Sequence, residues 1–162
     1  MYRKILLAYD GSVEGRLALR EGAMLARLCK AEVLLLAVVD LSTGILIAEG
    51  SIPGTAQQQR EAFETVLEEG VRRLEDLGFS PEARLEFGQP AQAIATVARQ
   101  ISADLVVVGH RHHSALSRWW GGSVGSSLLA DLSCSLLIAL KETGEADDSP
   151  ENTPQDDSRP GR

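Results

Sequence analysis

The apolar positions of this 162-residue chain change their spacing in a regular order. Two continuous apolar runs, "KILLAYD" (4–10) and "EVLLLAVVD" (32–40), have the pattern of strands buried on both faces of a parallel sheet. Between them Leu17, Ala18, Met24, Leu25 and Leu28 fall on one helical face, and Ser12 stands where an N-cap is needed. A second helix is predicted where Phe63, Val66, Leu67, Val71, Leu74 and Leu77 recur at three- and four-residue steps, with Gly78 as its stop. "EARLEF" (82–87) alternates charged with apolar residues, as an edge strand does. Gly88 and Pro90 then open a third helix with the stripe Ile94, Val97, Ala98 and Ile101. "DLVVVG" (104–109) is another buried strand. A short fourth helix is expected through Val124, Leu128, Leu129 and Leu132, and "SLLIAL" (135–140) is a last strand. The apolar but glycine-containing stretch "LSTGILIAEGSIPG" (41–54) takes no assignment.

Strands alternating with helices require right-handed crossovers that cover the sheet. The expected fold class is therefore α/β: a single-domain Rossmann-like sandwich, with a five-stranded parallel sheet and four helices on both faces. Ligands of such sheets bind beyond the carboxyl ends of the strands, where the winding direction reverses. Two segments are candidates for that crevice, "AYDGS" (8–12) and the loop within "VVVGHRHHSALSRWWGGSVGSS" (106–127). "SLLIAL" carries no charge, and in this winding it lies at a sheet edge, where an unprotected apolar strand invites aggregation. A homodimer through Ser135 to Leu140 is the expected solution.

Charge divides the chain into two domains of behaviour. The formal net charge is −7, but residues 142–162 hold seven acids, two bases and no large apolar residue. That composition predicts a disordered acidic tail after an α/β domain of residues 1–141. The body keeps 16 acids and 14 bases, with no basic stripe interleaved with aromatics, so nucleic acid is not an expected partner. The early apolar run, Ile5 to Tyr9, ends at Asp10 and is too short for a signal-peptide core and far too short for a membrane span, which predicts a cytoplasmic protein without a membrane partner. Cys29 and Cys134 lack metal-ligand spacing and are expected to be reduced and structural.

The loop after the fourth strand carries the chemistry. Gly121, Gly122, Ser123, Gly125, Ser126 and Ser127 precede a helix, so close-approaching backbone and free amides would suit a phosphate. The bland alternative is a helix start with small capping residues and no ligand. Neither GxxxxGK[ST] nor GxGxxG occurs. His110, His112 and His113 are adjacent in a loop without a carboxylate or cysteine at ligand spacing, which favours solvated histidines over a metal site. Trp119 and Trp120 offer either a partner patch or packing of the loop onto the body.

Taken together, "ILLAYDGS", "FGQPAQAI", the final apolar strand and the spacing Gly109, His112, Gly122, Ser123 give residues 2–141 a strong resemblance to the universal stress protein (UspA-like) family. Nucleotide-binding members of that family carry G-x2-G-x9-G-[ST] after the fourth strand, and three of those four positions match here. The resemblance implies an adenine nucleotide, ATP or AMP, with Mg2+ as an optional companion. It implies Ala8, Tyr9 and Asp10 beside the adenosine, Val38 lining the adenine pocket, and Val108 and Gly109 beside the nucleoside. Gly122, Ser123, Val124, Gly125 and Ser126 would meet the phosphates. Two positions depart from the pattern: His112 replaces the second glycine, and Gly125 stands where a hydroxyl residue is usual. If position 112 needs a left-handed backbone, a histidine costs roughly 1 to 2 kcal/mol there, about an order of magnitude in affinity.

Three functions are compatible with this reading. The first is a small stress-response or signalling protein that binds an adenine nucleotide and acts through a protein partner of unspecified identity. The second is a dimeric interaction module that binds no nucleotide, with His112 as its supporting feature. The third is a slow ATP hydrolase, disfavoured because no nucleophile–base pair is visible, so no catalytic residue is expected.

Overall fold

The computed structural model describes residues 1–40, 56–109 and 131–140. The expected fourth helix (except its last residues), the 41–54 stretch, the histidine loop and the acidic tail lie outside the described residues. Within them the order is β1 (Lys4–Ala8), α1 (Val13–Cys29), β2 (Glu32–Val39), α2 (Ala56–Asp76), β3 (Glu82–Phe87), α3 (Pro90–Gln100), β4 (Leu105–Gly109) and β5 (Ser135–Ala139). All five strands are parallel, in the spatial order β3-β2-β1-β4-β5. The chain therefore winds outward through β2 and β3, then returns to the other side of β1 through β4 and β5.

The two-residue period of the strands splits the core into two layers. Ile5, Leu7, Tyr9, Val33, Leu35, Leu105 and Val107 face α1 and α2. Leu6, Leu34, Leu36, Val106 and Val108 face α3. Because both faces are covered, the central strands read as unbroken apolar runs rather than alternating ones. The half-charged β3 and the uncharged β5 occupy the two edges, as their patterns predict.

Helix α1 corrects one sequence expectation. Ser12 caps it as predicted, accepting the Gly15 amide on its Oγ at 2.9 Å. Its buried face, however, is Gly15, Ala18, Leu19, Gly22, Ala23 and Ala26, and Met24 and Leu28 are 58% and 77% exposed. The reason is the distance of approach. A Cβ built on Gly22 would stand 2.3 Å from Leu7 Cδ2, so the helix lies too close to the sheet for long side chains in its central seam. Leu17 and Leu25 flank that seam, partly buried.

The end of the sheet opposite the strands' carboxyl termini is tied by Asp104. Its carboxylate accepts the amides of Arg3 and Lys4 at 2.7 and 2.9 Å, and its own amide donates to the Lys4 carbonyl at 2.9 Å. These backbone donors hold the Asp104 carboxyl below its ordinary pKa. Cys29 and Cys134 are free thiols, and burial pushes the Cys134 thiol up, toward its unreactive protonated form.

Candidate functional site

The winding reverses between β1 and β4, so the crevice predicted by the topology opens beyond Ala8 and Gly109. Ala8, Val38 and Val108 all point to the α3 side of the sheet. Val108 is buried, whereas Ala8 and Val38 are partly exposed at the strand ends. The fold thus brings three of the expected adenosine-side residues to one face as an apolar wall.

Asp10 follows at the mouth of this wall, in the turn between β1 and α1. Its Oδ1 accepts from the Ser12 amide at 3.0 Å and from the Ser12 hydroxyl at 2.5 Å. The same hydroxyl oxygen accepts the Gly15 amide, so the carboxylate, the cap and the first turn of α1 form one linked unit. Gly11 makes the reversal possible, with a φ of 75° that side chains disfavour.

Two glycines allow this turn to close. A Cβ on Gly15 would stand 2.6 Å from Asp10 Oδ1, so a side chain there would displace the carboxylate. A Cβ on Gly109 would lie 2.5 Å from the carbonyl carbon and oxygen of Glu14 and 2.7 Å from the Gly15 nitrogen. The first glycine of the loop motif therefore has a packing reason: the end of β4 runs directly against the first turn of α1.

Tyr9 takes a different direction from its neighbours. Its ring enters the layer under α1 and α2 and is 3% exposed, while its amide donates to the Leu36 carbonyl at 2.8 Å. Its hydroxyl is enclosed without a partner at hydrogen-bond geometry, yet Arg16 and Glu69 lie close enough to act on it. Burial, first of all, raises the phenol above its ordinary pKa. Glu69 bridges Arg16 of α1 at 3.1 Å and Arg73 of its own helix at 2.8 Å, and Arg73 leads in holding the Glu69 carboxyl below the usual range. Pattern reading missed this support from α2; the available signal was glycine inside helical periods, at 15, 22 and 70.

The phosphate-side residues His112, Gly122, Ser123, Val124, Gly125 and Ser126 lie outside the described residues, as do all three histidines. Among the described residues no cluster of His, Cys, Asp and Glu is arranged to hold a metal, and no helix is long and apolar enough to cross a membrane.

The sequence model of the universal stress protein family matches residues 1–139. A universal stress protein of Methanocaldococcus jannaschii is 30% identical over 146 residues, covering 90% of this chain and 86% of that protein. A structure from the same family in Burkholderia pseudomallei is 28% identical with a TM-score of 0.63, over 85% of this chain and 95% of that one. The universal stress protein of Archaeoglobus fulgidus solved with dAMP shares the fold, with a TM-score of 0.61 at 21% identity, over 85% of this chain and 97% of its own.

Proposed function

This chain belongs to the universal stress protein family, and from that premise we propose that it binds an adenine nucleotide, ATP or AMP, in the crevice beyond β1 and β4. The observation that carries the reading is the junction of two features at the winding reversal. One is the wall of Ala8, Val38 and Val108 with the Asp10 carboxylate at its mouth. The other is the spacing Gly109, His112, Gly122, Ser123 in the sequence that follows β4. The wall suits the face of a purine, the carboxylate suits adenine or ribose donors, and the amides around Gly122 to Ser126 would take the phosphates. The dAMP carried by the Archaeoglobus relative is of the same chemical class.

The nucleotide acts here as a bound signal rather than as fuel. Asp10 is committed to Ser12 and the α1 cap, which suits binding better than activation of a water. The protein works in the cytoplasm as a homodimer through β5, whose outer edge pairs with no other strand among the described residues, and it passes the occupancy of the site to a protein partner. His112 at the second glycine position supports a second reading, an interaction module without nucleotide. The two separate in one experiment. Protein purified without added nucleotide is denatured and the supernatant analysed for released adenine nucleotide, and a second, nucleotide-stripped sample is titrated with ATP and AMP by calorimetry, with and without magnesium. Release or saturable binding is expected; neither at millimolar nucleotide leaves the interaction module. Phosphate release on prolonged incubation with ATP would instead make the protein a hydrolase.

A further inference from the structure

The β1–α1 turn is backed by α2 at three places. Gly11 faces Val66, whose Cγ2 would stand 3.1 Å from a Cβ at position 11. Gly70 lies against Leu35 and the Tyr9 ring: an added Cβ would meet Leu35 Cδ2 at 2.7 Å, Tyr9 Cδ1 at 2.8 Å and Tyr9 Cε1 at 3.1 Å. Arg16, one turn into α1, pairs with Glu69. All three contacts fall on one turn and a half of α2, and none of them touches the apolar wall itself.

Gly70 is an unusual choice in energetic terms. A glycine inside a helix is destabilising relative to alanine, and α2 is a regular helix of 21 residues. The missing side chain leaves room for the end of Leu35, which can swing aside, and for the ring of Tyr9, adjacent in sequence to Asp10. An aromatic ring cannot yield as the end of a leucine can, so a methyl group at 70 would be relieved by moving Tyr9, and with it the backbone that carries Asp10 and Gly11.

We propose that Gly70 of α2 is a positioning residue for the nucleotide site: it sets the place of Asp10 through the Tyr9 ring, so that α2 and the mouth of the crevice move as one body. The proposal rests on the nucleotide reading of the site. It gives the bound signal a direction, because a shift of the Asp10 turn on binding is passed to α2 through Tyr9, Gly11 and Arg16.

The test compares Gly70→Ala with Gly22→Ala in the full chain. Gly22→Ala overpacks the same core layer, against Leu7, but away from the turn. Binding of AMP is measured by calorimetry, melting temperature by scanning, and the amide resonances of Ser12 and Gly15 by NMR without ligand. Gly70→Ala should weaken AMP about tenfold, equivalent to about 1.4 kcal/mol, and shift the Ser12 and Gly15 amides. Gly22→Ala should lower the melting temperature and leave AMP affinity within twofold of wild type. Adding Tyr9→Val to Gly70→Ala removes the ring and should recover part of the lost affinity and return the two amides toward their wild-type positions. If Gly70→Ala does not fold, Val66→Ala, which empties the space behind Gly11, should likewise weaken AMP and shift those amides. Unmoved amides, or affinity that tracks melting temperature equally in the 22 and 70 variants, overturns the proposal. Wild-type protein that binds no nucleotide, beside Gly70→Ala amides that do move, removes the nucleotide reading and keeps only the mechanical coupling.

Discussion

Replacing Gly109 with alanine tests the close approach of β4 to α1 without reference to any ligand. The added methyl would lie 2.5 Å from the carbonyl carbon and oxygen of Glu14 and 2.7 Å from the nitrogen of Gly15. These are backbone atoms of a capped helical turn, held by the Ser12 hydroxyl and by the Arg16 amide on the Ser12 carbonyl at 2.9 Å. No rotamer change can relieve the overlap, so either the end of β4 or the start of α1 must move by the better part of an ångström. Overpacking of this kind costs about 1 to 3 kcal/mol, and rigid neighbours place it toward the upper end. For a domain of this size a loss of 3 kcal/mol lowers the melting temperature by roughly 6 to 12 °C. Urea unfolding at 25 °C, with the slope compared between variants, gives the free energy directly. A Gly109→Ala protein within about 0.5 kcal/mol of wild type would refute the packing argument and leave ligand approach as the reason for glycine at this position.

Three further outcomes follow from other contacts. Asp104→Asn should destabilise the protein at neutral pH but not in acid: a carboxyl whose folded pKa is depressed contributes stability above its unfolded value, about 3.9, and loses it as pH falls through the folded one. Urea titrations from pH 6 to pH 2.5 should therefore show the gap between wild type and variant closing, and a constant gap would count against the role of the Arg3 and Lys4 amides. Ser12→Ala removes both the α1 cap and a donor to Asp10, for a loss of about 1 kcal/mol, so an unchanged unfolding midpoint contradicts the linked unit described at the turn. Ile138→Lys places a charge on the edge strand β5 and should convert a dimer into monomer or aggregate in sedimentation; wild type sedimenting as a monomer at tens of micromolar ends the dimer proposal.

Local periodicity determined much of this protein. Apolar runs at 4–10, 32–40 and 104–109 and the alternation at 82–87 were enough to place the buried and edge strands, because a strand buried on both faces has no polar side to show. Three- and four-residue spacing placed α2 and α3 for the same reason, with Gly78 marking the end of α2, Gly88 and Pro90 the start of α3, and Ser12 the start of α1. The winding alone pointed to two segments, 8–12 and the stretch after β4, as candidates for the crevice, while the choice of Ala8, Asp10, Val38 and Gly109 within and beside them came from the family resemblance.

What the tertiary structure decided is how near the elements stand. Met24 and Leu28 fit a helical stripe as well as Ala18 does, and only the short distance between α1 and the sheet selects Gly22, Ala23 and Ala26 for the interior. Gly109 reads as a ligand-approach residue in a linear motif; its contact with Glu14 exists only once β4 lies beside β1. The same holds for Tyr9, whose place beside Gly70 brings the turn after β1 against α2 where no local spacing connects them. Periodicity records which side of an element is apolar, whereas the room left between two apolar sides depends on both at once, and that room is settled only when the chain packs.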